Sequence, residues 1–193
     1  MGTDIHGNLQ QRWGKERPYE TIGPIEDTRN YRVFAALAGV RNWFGFAGCQ
    51  THEAMEPISA PRGLPSGLPA DGEYYGDHSW SWLYLREVID WKGWGLSLHE
   101  TGIVSVAEYG NMRRDGIIVP KGWSGGVMGP GIVVVDEAET IPPNATHVQV
   151  QWERPMREAC KTFVLWLDYL KSAHGWRLES DPDALRLVFG FDS

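Results

Sequence analysis

Asp4, His6 and Asn8 stand at alternate positions near the N-terminus, set against the apolar Ile5 and Leu9. A period of two is that of a half-buried strand, whose successive side chains point to opposite faces. One face then carries a carboxylate, an imidazole and an amide side by side. Such a set can hydrogen-bond a ribose or the edge of a base. Its carboxylate and imidazole are also the groups that exchange protons in acid–base catalysis or ligate a divalent metal.

A second polar group, Gly76-Asp77-His78-Ser79, directly precedes a run that begins at Trp80. Asp77 or Ser79 reads as the N-cap of a helix over residues 80–91, and a helix N-terminus adds backbone amides to the histidine and serine. Asp4, His6, Asp77 and His78 together form a candidate catalytic set for phosphodiester hydrolysis, with a metal-activated water or by acid and base alone. The structural alternative stands beside it: Asp77 only caps, His78 lies on the surface, and Asp4 and His6 face water on an edge strand.

Candidate ligand-binding residues extend this set. Arg29 and Asn30 precede a segment of helical spacing, Arg41 closes it, and Arg62 adjoins Gly63 in a proline-rich loop. A guanidinium at a loop or helix end suits phosphate or carboxylate, and is equally an ordinary surface group. Ten tryptophans exceed what core filling requires. Trp43, Trp80 and Trp82 lie in segments already rich in His and Arg, where a base could stack. Trp152 and Trp166 are assigned to the core. With Asp4, His6, Asn8, His78 and Ser79, these define a pocket for a nucleotide-derived small molecule.

Several motifs are missing. The loop over 122–131 lacks the Gly-Lys-Ser/Thr of a P-loop, and there is no Gly-x-Gly-x-x-Gly after a strand and no Gly-x-Ser-x-Gly elbow. His52-Glu53-Ala54-Met55-Glu56 begins like a zincin helix, but its second ligand position is Glu56. Cys49 beside His52 has no third, orienting group in sequence reach.

The elements that position these residues follow from periodicity. Strands are expected over 3–12, 147–152 and 185–191, and a short buried helix over 30–41 capped by Thr28 or Asn30. Pro57, Pro61, Pro65 and Pro69 make residues 56–75 a loop. Residues 117–119 and 132–135 read as a hairpin or wide connection. A long helix has Pro155 in its first turn, Gly175 just past its end, and Phe163, Val164, Trp166, Leu167 and Leu170 as its buried stripe. The fold class is α+β: a single domain over 1–193 with a mixed or antiparallel sheet, a strand at each terminus and about three packed helices.

The chain has 193 residues, 42% hydrophobic and 22% charged, which fits one soluble globular domain. Lys and Arg number 18 against 25 Asp and Glu, so the net charge is 18 − 25 = −7. Long nucleic acid is therefore disfavoured as a partner, while the 13 arginines leave room for a small anion. No apolar run nears the roughly 20 residues of a membrane span, and no signal pattern opens the chain, so a cytoplasmic location is expected. Two cysteines, Cys49 and Cys160, suit a reducing compartment and cannot form a structural zinc site. No cofactor is expected beyond a possible divalent metal; a homo-oligomer is expected, since the remaining tryptophans suit a core or an oligomer interface as well as ligand stacking.

The opening M-G-T-D-I-H, the segments R-N-Y-R-V-F-A-A-L-A-G-V-R, P-R-G-L-P and G-D-H-S-W-S-W-L, and the closing L-R-L-V-F-G-F-D resemble a family of small phage and prophage proteins that begin Met-x-x-Asp-Ile-His. That resemblance implies a phage origin. It suggests a counter-defence role, capture or destruction of a nucleotide immune signal in a bacterial host's cytoplasm, with blockade of a host protein through exposed Trp and the proline-rich loop as a further alternative. Asp4-Ile5-His6, Gly76-Asp77 and Gly110-Asn111-Met112 also resemble metallophosphoesterase motifs, the third departing at Met112.

Overall fold

The computed structural model describes residues 2–26, 29–43, 50–51, 54–68 and 75–192. The two terminal strands, β1 (Asp4–Gln11) and β8 (Leu185–Asp192), are antiparallel neighbours over their full lengths, from Asp4 opposite Asp192 to Gln11 opposite Leu185. β2 (Glu20–Pro24) pairs with the free side of β1, and β4 (His78–Tyr84) with the other side of β8. The resulting antiparallel sheet has the order β2-β1-β8-β4.

Alternation gives this sheet one apolar face. Ile5, Leu9, Leu83, Leu185, Leu187, Phe189 and Phe191 are buried, in one cluster with the helices α1 (Tyr31–Ala38) and α5 (Lys161–Ser180). Asn30 caps α1, its side chain accepting from the Arg32 N–H at 3.0 Å. Gly39 ends it at φ 71°, a left-handed conformation that a side chain would strain.

A second sheet has four strands among the described residues. Its spine is the long antiparallel pair β5 (Ser97–Ser105) and β7 (His147–Pro155); β3 (Gln50–Thr51) joins β5 antiparallel and β6 (Val134–Asp136) joins β7 parallel. Val104, Val148, Val150, Trp152 and Met112 form its own small core. Met112 comes from α3 (Val106–Asp115), which Ser105 caps by accepting from the Glu108 N–H at 3.1 Å.

The α+β class and the terminal strands are as expected, and five helices are present among the described residues. Five details differ from the sequence reading. Residues 80–91 are not one helix: β4 runs to Tyr84 and only Leu85–Ile89 is helical (α2), because pairing with β8 fixes Trp82 and Tyr84 in extended backbone. Glu87 then starts α2 by accepting from the Tyr84 N–H at 2.8 Å. Ile117–Val119 forms no strand, and β6 pairs parallel to β7 rather than in a hairpin. The long helix is broken at Cys160 into α4 (Met156–Ala159) and α5, and Gly175 lies inside α5, held by the helix on either side of it. Among the described residues no helix is long and apolar enough to cross a membrane.

Between the two apolar clusters lies a charge. Along the inward face of β5, Leu98 belongs to the first cluster and Val104 to the second, with Glu100 between them. Glu100 is fully buried and forms an ion pair with Arg32 of α1, also fully buried. Its other oxygen takes the Trp152 indole N–H at 2.7 Å and lies 3.2 Å from Arg154 Nη2. The carboxylate thus joins a helix of the first layer to both central strands of the second sheet. Removing one member of a buried ion pair costs about 3–5 kcal/mol. Glu100→Ala is therefore expected to lower the unfolding free energy in urea by about that amount; a loss below about 1 kcal/mol would show that the junction holds without its ions.

Candidate functional site

The face of the first sheet turned away from the helices carries Asp4, His6 and Asn8 of the residues singled out in sequence. In the β1–β8 register Asp4 lies opposite Asp192, His6 opposite Gly190, Asn8 opposite Val188 and Gln10 opposite Arg186. From β4, Trp82 is opposite Val188 and Tyr84 opposite Arg186. Directly paired residues of antiparallel strands share a face. Trp80 joins them at the bulge in β4: a Cβ on Gly190 would fall 2.5 Å from its ring and into the carbonyl of Tyr75. Glycine at 190 is what allows the indole to settle over β8 beside His6. The Trp80 indole donates to the Gly76 carbonyl at 3.0 Å.

At the open end of this face, His6 Nε2 lies 2.8 Å from Asp192 Oδ2, and the other oxygen of Asp192 accepts the Asp4 N–H at 3.1 Å. Hydrogen bonding to His6 is the main influence holding the Asp192 carboxyl below its ordinary pKa. A carboxylate bound to one ring nitrogen fixes the imidazole's orientation. Arg29 Nε pairs with Asp4 Oδ1 at 2.9 Å, and its guanidinium occupies the space that a side chain on Gly2 would need. The side chains of His6, Asp192 and Asp4 stay 39%, 44% and 39% exposed, so the group is open to a ligand.

Backbone strain gathers at the same end of the sheet. Among the described residues, the non-glycine residues with positive φ are Arg29 (37°), Arg41 (53°) and Ser79 (51°). Each costs about 1–3 kcal/mol and persists only where surrounding contacts hold it. Arg29 holds Asp4. Arg41 donates to Thr3 Oγ1 at 2.8 Å and lies 5.8 Å from the Tyr31 ring centre. Ser79 follows His78, whose Nδ1 lies 2.9 Å from Ser79 Oγ.

The candidate residues therefore divide. Asp4, His6, Asn8, Trp80 and Arg29 share the outward face or its rim. Arg62 borders it, 4.9 Å from the Trp82 ring centre and paired through both terminal nitrogens with Glu87 at 2.9 and 2.7 Å. These hydrogen bonds raise the Arg62 pKa and lower that of Glu87, against the opposing effect of burial on each. His78 is not with His6: its ring stacks on Phe191, 6.1 Å between centres, on the helix-facing side, and β8 lies between the two strands. Asp77 sits in an exposed turn, its N–H bonded to the Phe191 carbonyl, and caps no helix. Arg41, through buried Thr3, also belongs to the helix side. Asn30 caps α1 and donates to the Ala159 carbonyl at 2.8 Å, and Trp43 is 55% exposed.

The metallophosphoesterase-like set is not gathered either, because Asn111 lies on α3 over the second sheet. Among the described residues no three His, Cys, Asp or Glu side chains converge to hold a metal ion. Thr28, Cys49, His52 and Glu53 lie outside the described residues. Cys160 is buried, and desolvation pushes its thiol up to about 12, which removes it as a nucleophile at neutral pH.

Sequence reasoning missed Asp192, Tyr19, Tyr84 and Arg186. The signal for Asp192 was present, since it extends the outward positions Arg186, Val188 and Gly190 by one step. What was lacking was the pairing of the two terminal strands. No family model matches the chain, and neither a curated protein nor a solved structure matches it.

Because the Asp192 pKa is depressed in the folded state, its ionised form stabilises the fold above the ordinary carboxyl value of 3.8, and that contribution is lost as pH falls through the depressed pKa. In an NMR titration, His6→Ala is expected to move the Asp192 carboxyl back up towards its ordinary value. An unmoved titration in that variant would place the depression elsewhere.

Proposed function

We propose that this protein binds and sequesters a nucleotide-derived, phosphate-bearing small molecule on the outward face of its first sheet. The observation that supports this most is the row Trp80, Trp82 and Tyr84 at alternate positions of one strand, beside Asp4, His6, Asn8 and Asp192 on the same face. All three rings are partly exposed. A base stacks on such rings regardless of its identity, while carboxylates, imidazole and amide bond sugar hydroxyls and base edges. The net charge of −7 favours a small ligand over a long phosphate backbone. The resemblance to small phage proteins supports a ligand of the cyclic oligonucleotide or cyclic ADP-ribose type, captured in the cytoplasm of an infected bacterium. A homo-oligomer belongs to the same proposal and is read directly by sedimentation.

One observation favours a second reading. His6 held by Asp192 is a carboxylate-oriented imidazole open to solvent, the arrangement of a general base, and with Asp4 it would serve a phosphodiesterase acting on the same ligand. That reading requires turnover that disappears in His6→Ala.

Isothermal titration against a panel of cyclic oligonucleotides and cyclic ADP-ribose isomers tests the proposal. One member is expected to bind tighter than millimolar, and Trp80→Ala to weaken it by about 10-fold to 100-fold through lost stacking. Binding to no member, or binding indifferent to Trp80 and Trp82, would overturn the assignment of this face.

A further inference from the structure

Arg186 lies in the middle of the outward face, directly between Gln10 on β1 and Tyr84 on β4. Its guanidinium is 3.8 Å from the ring centre of Tyr19 and 6.0 Å from that of Trp82. Nε donates to Gln10 Oε1 at 3.0 Å. Among the described residues no carboxylate comes within ion-pair distance of it, and neither terminal nitrogen has a hydrogen-bond partner.

Its neighbours in the same row make the contrast. Arg12, 5.4 Å from the Tyr19 ring centre, is paired with Asp181 through Nε and Nη2 at 3.2 and 3.1 Å. Arg62, on Trp82, has both its terminal nitrogens on Glu87. The order is thus Arg12, Tyr19, Arg186, Trp82, Arg62, and the middle cation has aromatic faces and an amide where the outer two have carboxylates. A partly buried guanidinium without an anion is poorly compensated, and burial accordingly lowers the Arg186 pKa from its usual value. Stacking on Tyr19 and the bond to Gln10 fix the plane of the fork, leaving its terminal N–H groups as a preset bidentate donor.

We infer that Arg186 is the oxyanion receptor of this face and takes a phosphate of the bound molecule between its two terminal nitrogens. The choice of phosphate rests on the nucleotide reading above; the site itself rests on the arginine row. The aromatic row on β4 then receives the base while Arg186, one strand away, receives the charge, and the two are about 5 Å apart in the strand-to-strand direction.

Inorganic pyrophosphate and unphosphorylated adenosine, titrated separately into the full chain, divide the two claims. Pyrophosphate is expected to saturate and to shift the side-chain Nε–Hε NMR signal of Arg186. Both Arg186→Gln and Arg186→Lys are expected to weaken it by about tenfold or more, since lysine restores the charge but not the fork. Arg157→Gln, an exposed arginine paired with Asp168, is expected to leave it unchanged. The lysine variant guards against misfolding of the glutamine variant, and thermal melts of each check that they fold. Pyrophosphate that fails to bind, or that binds both Arg186 variants like the parent, overturns the inference. Pyrophosphate bound through Arg186 while adenosine binds nowhere upholds it, and overturns the base-stacking reading alone.

Discussion

The burial of Glu100 between two guanidinium groups is the constraint on which the arrangement of the molecule depends. Each sheet has its own apolar cluster, and the second is small, with Val104, Met112, Val148, Val150 and Trp152 at its centre. Apolar burial is non-directional and could join the two layers at many angles. The ion pair from Arg32 to Glu100, with Arg154 and the Trp152 indole on the other carboxylate oxygen, is directional and ties α1 to β5 and β7 at defined points. Its high desolvation cost makes it a device for specificity more than for net stability. Arg32 also anchors α1, whose Ala35, Ala36 and Ala38 are small enough to let it sit deep among its neighbours. With α1 on one face, the row of polar and aromatic side chains lies on the opposite face of the first sheet.

That outward face is assembled from the two ends of the chain. The β1–β8 register brings Asp4 and His6 to Asp192 and Gly190 across nearly the whole sequence. Close approach is possible because glycine stands where side chains would collide: Gly190 under Trp80, and Gly76, whose Cβ would meet the carbonyl of Phe191 and whose φ is 69°. Strain at Arg29, Arg41 and Ser79 surrounds the same end. Such backbone conformations persist only where surrounding contacts hold them.

Local patterning made much of this legible. Alternation in residues 3–12 and 185–191, the cap at Asn30 and the strand ending the second half all come from short-range physics, and so does the sharing of one face by Asp4, His6 and Asn8. Residues 80–91 show why the rest was not. Trp82, Leu83, Tyr84 and Val88 fit either period, and the choice of strand is made by β8, which lies a hundred residues away in sequence. Reading a helix there put His78 beside the wrong neighbours and hid the row Trp80, Trp82, Tyr84. Arg186 was invisible for the same reason: an arginine between leucine and leucine looks like any solvent-facing strand residue until Tyr19 and Trp82 are known to flank it. Asp192 needed the pairing of termini, which no local pattern encodes.

The measurement closest to the central claim separates holding a ligand from altering it or ignoring it. The purified protein is incubated with candidate cyclic nucleotides, divided, and one half heat-denatured before both are analysed by chromatography and mass spectrometry. Sequestration on this face predicts a ligand that disappears from the free pool and returns chemically intact after heating. A new product would instead assign His6 and Asp192 to catalysis, and ligands that stay free and unchanged in both halves would contradict binding on this face.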